Sequence, residues 1–179
     1  MDHSLVRDAP MHTTRTAAFV AFLAALAACS SDPLGPHFEQ ELTRRGGCAD
    51  VVFFAVDADD ERMLSFRADG LVAEARAAGE QVVTTFDLSQ NAATLIVERG
   101  TRIADAMCDD VIENGGPRVR RTWVAVAGRA IVTVRPGPSE FAARADLRLE
   151  DIVLDDGDGD RVIVEEMDWV DVSVGWFPG

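Results

Sequence analysis

Apolar residues along this chain gather in one dense run near the start, then in short β-spaced segments. Ala17 to Cys29 is almost wholly apolar yet too short to cross a bilayer. Beyond Cys48 the period changes. Asp50 to Val56 is a largely continuous apolar run, the pattern of a strand buried on both faces. Arg62 to Arg67, Gln81 to Leu88 and Thr94 to Glu98 also read as strands, with Val82, Thr84 and Phe86 on one face. Gly70 to Gly79 contains LVAEARAA, whose propensities predict a short helix or an irregular crossing. Thr101 to Glu113 stays open between two forms. Ile103, Met107, Val111 and Ile112 recur near helical spacing, but a loop with one turn of helix fits as well. Arg118 to Arg135 reads as a hairpin turning at Gly128-Arg129, which pairs Ala125 with Val132 and Trp123 with Val134. Ala145 to Leu154 carries Leu147 and Leu149 in one phase and Ile152 and Leu154 in the other, so a bulge is expected at Glu150-Asp151. Arg161 to Val164 and Trp169 to Trp176 complete the set, with Val170, Val172, Val174 and Trp176 sharing a face. About eight strands with one or two short helices predict an all-β fold, an antiparallel β-sandwich of immunoglobulin-like size.

The early apolar run sets the organisation of the chain. Arg15 precedes it, small residues close it, and Ser30-Ser31-Asp32 follows, the layout of a secretory signal. Asp2 and Asp8 offset the positive charge of the lead, whereas a start at Met11 gives a cleaner positive n-region. Leu26-Ala27-Ala28-Cys29 resembles the lipobox of bacterial lipoproteins. That resemblance implies cleavage before Cys29 and a lipid on its thiol. By the same likeness, Ser30 points to the outer membrane if the source is Gram-negative. The expected division is therefore a lipoprotein signal peptide over 1–28, a tether over 29–47 and a single domain over 48–179. Ser30 to Gly47 carries two prolines and three glycines without a sustained apolar period, although Phe38 to Arg45 has room for a helical turn or two.

Composition narrows the chemistry. The chain has 17 basic residues, all arginine, against 31 acids, for a net charge of −14, and it has no tyrosine. Lysine chemistry is excluded. Of three histidines only His37 lies beyond residue 28, within the expected tether, so imidazole-dependent catalysis and His-rich metal sites are disfavoured. Once Cys29 carries lipid, Cys48 and Cys108 remain, and outside the cytoplasm an even pair reads as a disulfide.

Acidic clusters stand at 57–61, 109–110 and 155–160. Asp57, Asp59, Glu61, Asp156, Asp158 and Asp160 are candidate calcium ligands, because alternating carboxylates and glycines can wrap a hard cation. The run after Asp156 fails as an EF-hand: Arg161 and Met167 stand where its glycine and bidentate glutamate belong. An acidic Asp-Gly turn is the plainer reading. Residues 118–148 hold seven arginines against Glu140 and Asp146, and Arg118, Arg120 and Arg135 form a candidate surface for an anionic partner. Acidic neighbours pairing across the sheet are the expected alternative. Trp123, Trp169 and Trp176 have the surface to line a sugar or peptide groove, but on strands of this spacing they read rather as core residues, with Trp176 to Gly179 as the candidate exposed aromatic patch.

These features predict a lipid-anchored, extracytoplasmic binding or structural module of the bacterial cell envelope rather than an enzyme. It would meet the membrane through the lipid on Cys29 and an unknown protein or glycan through its folded domain. Nucleic acid fits poorly at this net charge. A calcium-stabilised adhesive surface domain is the runner-up. A carboxylate-based hydrolase of envelope glycans is the third reading.

Overall fold

A computed structural model describes residues 34–35, 37–105, 107–108, 115–139 and 142–175. They belong to one compact unit, Asp32–Gly179. In chain order come α1 (Phe38–Glu41), β1 (Arg44–Cys48), β2 (Val51–Val56), β3 (Arg62–Ala68), α2 (Leu71–Ala78), β4 (Val82–Asp87), a 3₁₀ turn (Leu88–Gln90), β5 (Thr94–Thr101), β6 (Arg118–Pro136), β7 (Ala143–Asp155) and β8 (Arg161–Val174). Every strand pair is antiparallel. The ladder runs β1-β2-β3-β5-β6-β7-β8, with β4 also paired to β6. All eight strands thus join one sheet, curled into a half-barrel. The all-β class and the strand number match the sequence pattern, but the ladder has no seam dividing it into two sheets.

The main core lies inside the curl. Phe53, Leu64, Phe66, Leu95, Val97, Trp123, Val132, Leu147, Leu149 and Trp169 are buried there. Strand alternation explains the selection, since every second residue faces inward. In β2, Val51, Phe53 and Ala55 are fully buried while Val52 and Phe54 are only partly covered. The two core tryptophans are where the sequence placed them. Trp176 lies outside the described residues.

Bulges set the phase of the long strands. Asp151 takes φ 53° and adds one residue to β7 against β6, so Leu149 and Ile152 both face inward, as the phase change in the sequence required. In β8, Asp171 takes φ 56° and shifts the register between Ala145 and Leu147 of β7. This last bulge corrects the expected face of Val170, Val172 and Val174: Trp169 and Val174 are buried while Val170 is 76% exposed. It also leaves 161–174 as one bent strand rather than two.

The expected hairpin does not form. Arg118–Pro136 is one continuous strand, and Gly128, at φ 114°, lies within it. A Cβ on Gly128 would meet Ile152 Cδ1 at 2.7 Å and Asp151 O at 2.8 Å, so glycine here admits β7 instead of turning the chain. On its other edge, β6 changes partner in the same region. Ile96 of β5 opposes Val124, and Asp87 of β4 opposes Arg129.

The expected tether also requires correction. Leu34, Phe38 and Leu42 recur every four residues and are buried in the main core, and Arg44–Cys48 is a strand. Gly47 lets β1 press against β8, since a Cβ there would lie 2.7 Å from Val172 Cγ1. The Gly175 N–H donates to Ala49 O at 2.5 Å along the same seam.

Helix α2 forms as its propensities suggest. Asp50 accepts from the N–H groups of Gly70 and, at 2.9 Å, of Val72. Gly79, at φ 69°, closes the helix with bonds to Ala75 O and Arg76 O. Within 101–113 the described residues after Thr101 form turns, and 106 and 109–114 lie outside the description. Ile103 packs on Val56 and Met63 in a second, smaller core on the outer face of the sheet. The Cys48–Cys108 disulfide, with Cα atoms 5.8 Å apart, pins this segment to the end of β1.

Candidate functional site

One end of the curled sheet concentrates the polar chemistry. Leu64, Val97 and Trp123 form a buried cross-strand row on β3, β5 and β6. Two residues nearer that end, on the same inward phase, come Arg62, Arg99 and Arg121, again in register. Three adjacent arginines repel one another unless carboxylates stand between or beside them.

The turns on either side provide those carboxylates. Asp57 is only 4% exposed, and it accepts from Arg62 Nε at 2.9 Å, Glu61 N at 2.9 Å and Arg62 N at 3.2 Å. Arg62 also binds Glu41 and, at 3.0 Å, Leu34 O, which clasps the 34–42 segment to the sheet. Within this cluster, burial works to lower the Arg62 pKa, but Asp57 and Glu41 raise it on balance. On the far side, Arg121 binds Asp156 and Asp160, and its guanidinium lies 4.9 Å over the Trp123 ring. Burial pushes the Asp156 carboxyl up, yet Arg121 and the N–H groups of Asp158 and Asp160 hold it below the ordinary carboxylate range.

Between the Arg62 cluster and the 34–35 segment lies a cleft of about 350 Å³, lined by Leu34, Gly35, Asp57, Asp59, Glu61, Arg62 and Arg99. Its walls offer planar guanidinium donors beside carboxylate acceptors. That combination suits a ligand rich in hydroxyl or amide groups, since both signs of hydrogen-bonding partner are present.

The two acidic turns do share this end of the sheet, but the arginine row stands between them. Of the six candidate calcium ligands, Asp57 and Asp156 are committed to arginines and main-chain N–H groups, and Asp160 to Arg121. Asp57, Asp59 and Glu61 line the cleft together, but among the described residues no group of three or more carboxylate, histidine or cysteine side chains is placed to hold a metal ion. Asp109 and Asp110 lie outside the description.

The arginine stripe divides as well. Asp146 grips Arg135 at 2.5 and 2.9 Å, and Asp171 also reaches it. Arg129 pairs with Glu150, Arg144 with Asp171, and Arg148 with Glu150 and Glu166. The cross-strand pairing expected as the alternative is therefore present. Arg118 and Arg120 are exposed, without an ion pair among the described residues. His37 is exposed near Glu39, away from any cluster that would use it as a base.

Glu98 stands apart on the outer face. Burial pushes its carboxyl above the ordinary range, and its cross-strand neighbours are Met63 and Thr122.

Sequence reasoning missed Arg62 and Arg99. A signal was present: each arginine sits two residues from a core residue (Arg62 from Leu64, Arg99 from Val97), hence on the buried phase at a strand end. Searches against family models, curated proteins and solved structures found no match to this chain.

Proposed function

We propose that this protein is a lipid-anchored, extracytoplasmic binding module of the bacterial cell envelope that engages a protein or glycan at the cleft beside Arg62 and Arg99. The observation that carries the reading is the Cys48–Cys108 disulfide, which suits an oxidising compartment and leaves Cys29 as the cysteine for lipid. The lipobox-like Leu26-Ala27-Ala28-Cys29 supplies the anchor. In a Gram-negative source, Ser30 directs it to the outer membrane. The cleft offers hydrogen-bonding groups and no positioned nucleophile–base pair, which favours binding over catalysis.

Fractionation of cells expressing the wild type and Cys29→Ser tests the anchor. Wild-type protein is expected in the membrane fraction with acyl mass on Cys29, and the variant is expected to be released or left unprocessed. Wild-type protein that stays aqueous in detergent phase separation and carries no acyl mass would refute the reading. Recovery of an envelope component by the wild type, lost with Glu61→Arg, is the matching test of the cleft.

A further inference from the structure

Strand β8 ends the ladder, and over Arg161–Val164 its pairing is with β7 alone. Among the described residues no strand is laddered to its other side. A strand edge with unused main-chain groups is a template for another strand. Arg161, Ile163 and Glu165 face outward here, and Val162 and Val164 face the core. Ile163 is 68% exposed, beside Val153 of β7.

The geometry points to β8 as a self-pairing edge that joins two copies of this chain antiparallel about a two-fold axis at Ile163. The stretch Arg161-Val-Ile-Val-Glu165 is its own complement when read antiparallel. With Ile163 opposite Ile163 of the second copy, Arg161 faces Glu165 on both sides of the axis, and Val162 faces Val164. Cross-strand pairs of opposite charge stabilise such a ladder, and like charges oppose it. Neighbouring registers fail. Centring on Val162 sets Arg161 against Ile163, and centring on Val164 sets Ile163 against Glu165. A one-residue slip would put core-facing residues on the solvent face.

The flanking position opposes Asp160 to Glu166, but each already has an arginine, Arg121 and Arg148 respectively. Arg161 is also paired with Asp155 through Nε at 2.8 Å, which fixes its side chain on the outer face. The joined sheets would carry Val153 and Ile163 from both copies as one apolar row across four strands. An isologous contact of this kind closes as a dimer and does not propagate. Five residues a side make a small contact, so association is expected to be weak and concentration-dependent.

The test uses the full chain in one detergent. Cysteine is placed singly at Ile163, Val83 and Val170, all of which are more than half exposed. Under mild oxidation Ile163→Cys is expected to form a disulfide-linked homodimer about tenfold faster than either control. In sedimentation, Arg161→Glu and Glu165→Arg are each expected to weaken self-association about tenfold, and the double variant to restore it. Equal cross-linking at all three positions, a monomer at every concentration, or a double variant no better than the singles would overturn the proposal. Capture of a different protein by the Ile163→Cys variant without self-linking would overturn it as well.

Discussion

Asp146 shows how much one carboxylate can organise at this scale. It accepts two bonds from Arg135 and a third, at 2.7 Å, from the Asp171 N–H, so it anchors the β8 bulge as well as an arginine. The Arg135 hydrogen bonds hold its carboxyl below the ordinary range. A pKa depressed by folding gives stability that is present above the unfolded value, near 3.9, and lost as pH falls through the folded value. Glu98 has the opposite sign. Burial raises its folded pKa, so its ionisation penalises the fold at neutral pH, and the penalty fades as pH falls toward about 4.3. Two variants separate these effects. Glu98→Gln is expected to melt higher than wild type at pH 7, with the advantage vanishing by about pH 4. Asp146→Asn is expected to cost about 1–3 kcal/mol at pH 7 and progressively less below about pH 4. Thermal melting of both from pH 7 to 3 checks the signs, and parallel curves for all three proteins would contradict them.

At the scale of the element, β6 depends on Gly128 for its contact with β7. Alanine there must take φ 114° and push into Ile152 and the Asp151 carbonyl. Gly128→Ala is expected to cost about 2–5 kcal/mol from backbone strain and overpacking. Chemical denaturation measures it, and a loss under about 1 kcal/mol would mean the strand can shift to make room. Gly128 also marks what the sequence left ambiguous. A glycine amid alternating apolar residues fits a two-residue turn or the close approach of a neighbouring strand equally well, and the choice depends on β4, β5 and β7, which lie far away in sequence. The Glu150-Asp151 bulge was legible because the apolar phase itself reverses there. Asp171 gave no such signal, since Val170 and Val172 continue the alternation straight through it. Helix α2 was legible from propensity and its closing glycine. Strand β1 was not, because Arg-Arg-Gly-Gly has little intrinsic strand character and is formed by its neighbours. The site followed the same rule: the acidic turns stood out as runs, whereas the arginines that hold them are spread over β3, β5 and β6.

The whole chain carries a net charge of −14, and most ion pairs among the described residues are solvent-exposed. Exposed pairs contribute little individually, so self-repulsion between acidic turns is the larger electrostatic influence on the fold. Cations should relieve it by screening. The geometry at the arginine-lined end of the sheet decides whether calcium does more than that. Asp57 and Asp156 would have to leave Arg62 and Arg121, and several main-chain N–H groups, before they could turn toward a metal. An unpaired arginine in their place would cost more than an exposed carboxylate gains. Melting of the chain is therefore expected to rise with ionic strength, and Ca²⁺ and Mg²⁺ at matched ionic strength are expected to raise it equally. Each 1 kcal/mol gained would appear as about 2–4 °C for a domain of this size. A larger shift from Ca²⁺, abolished by Asp156→Asn, would show that the two turns rearrange around a specific ion and would favour the adhesive, calcium-stabilised reading. A shift that follows ionic strength alone leaves the arginine row as the means by which the two acidic turns are held at one end of the sheet.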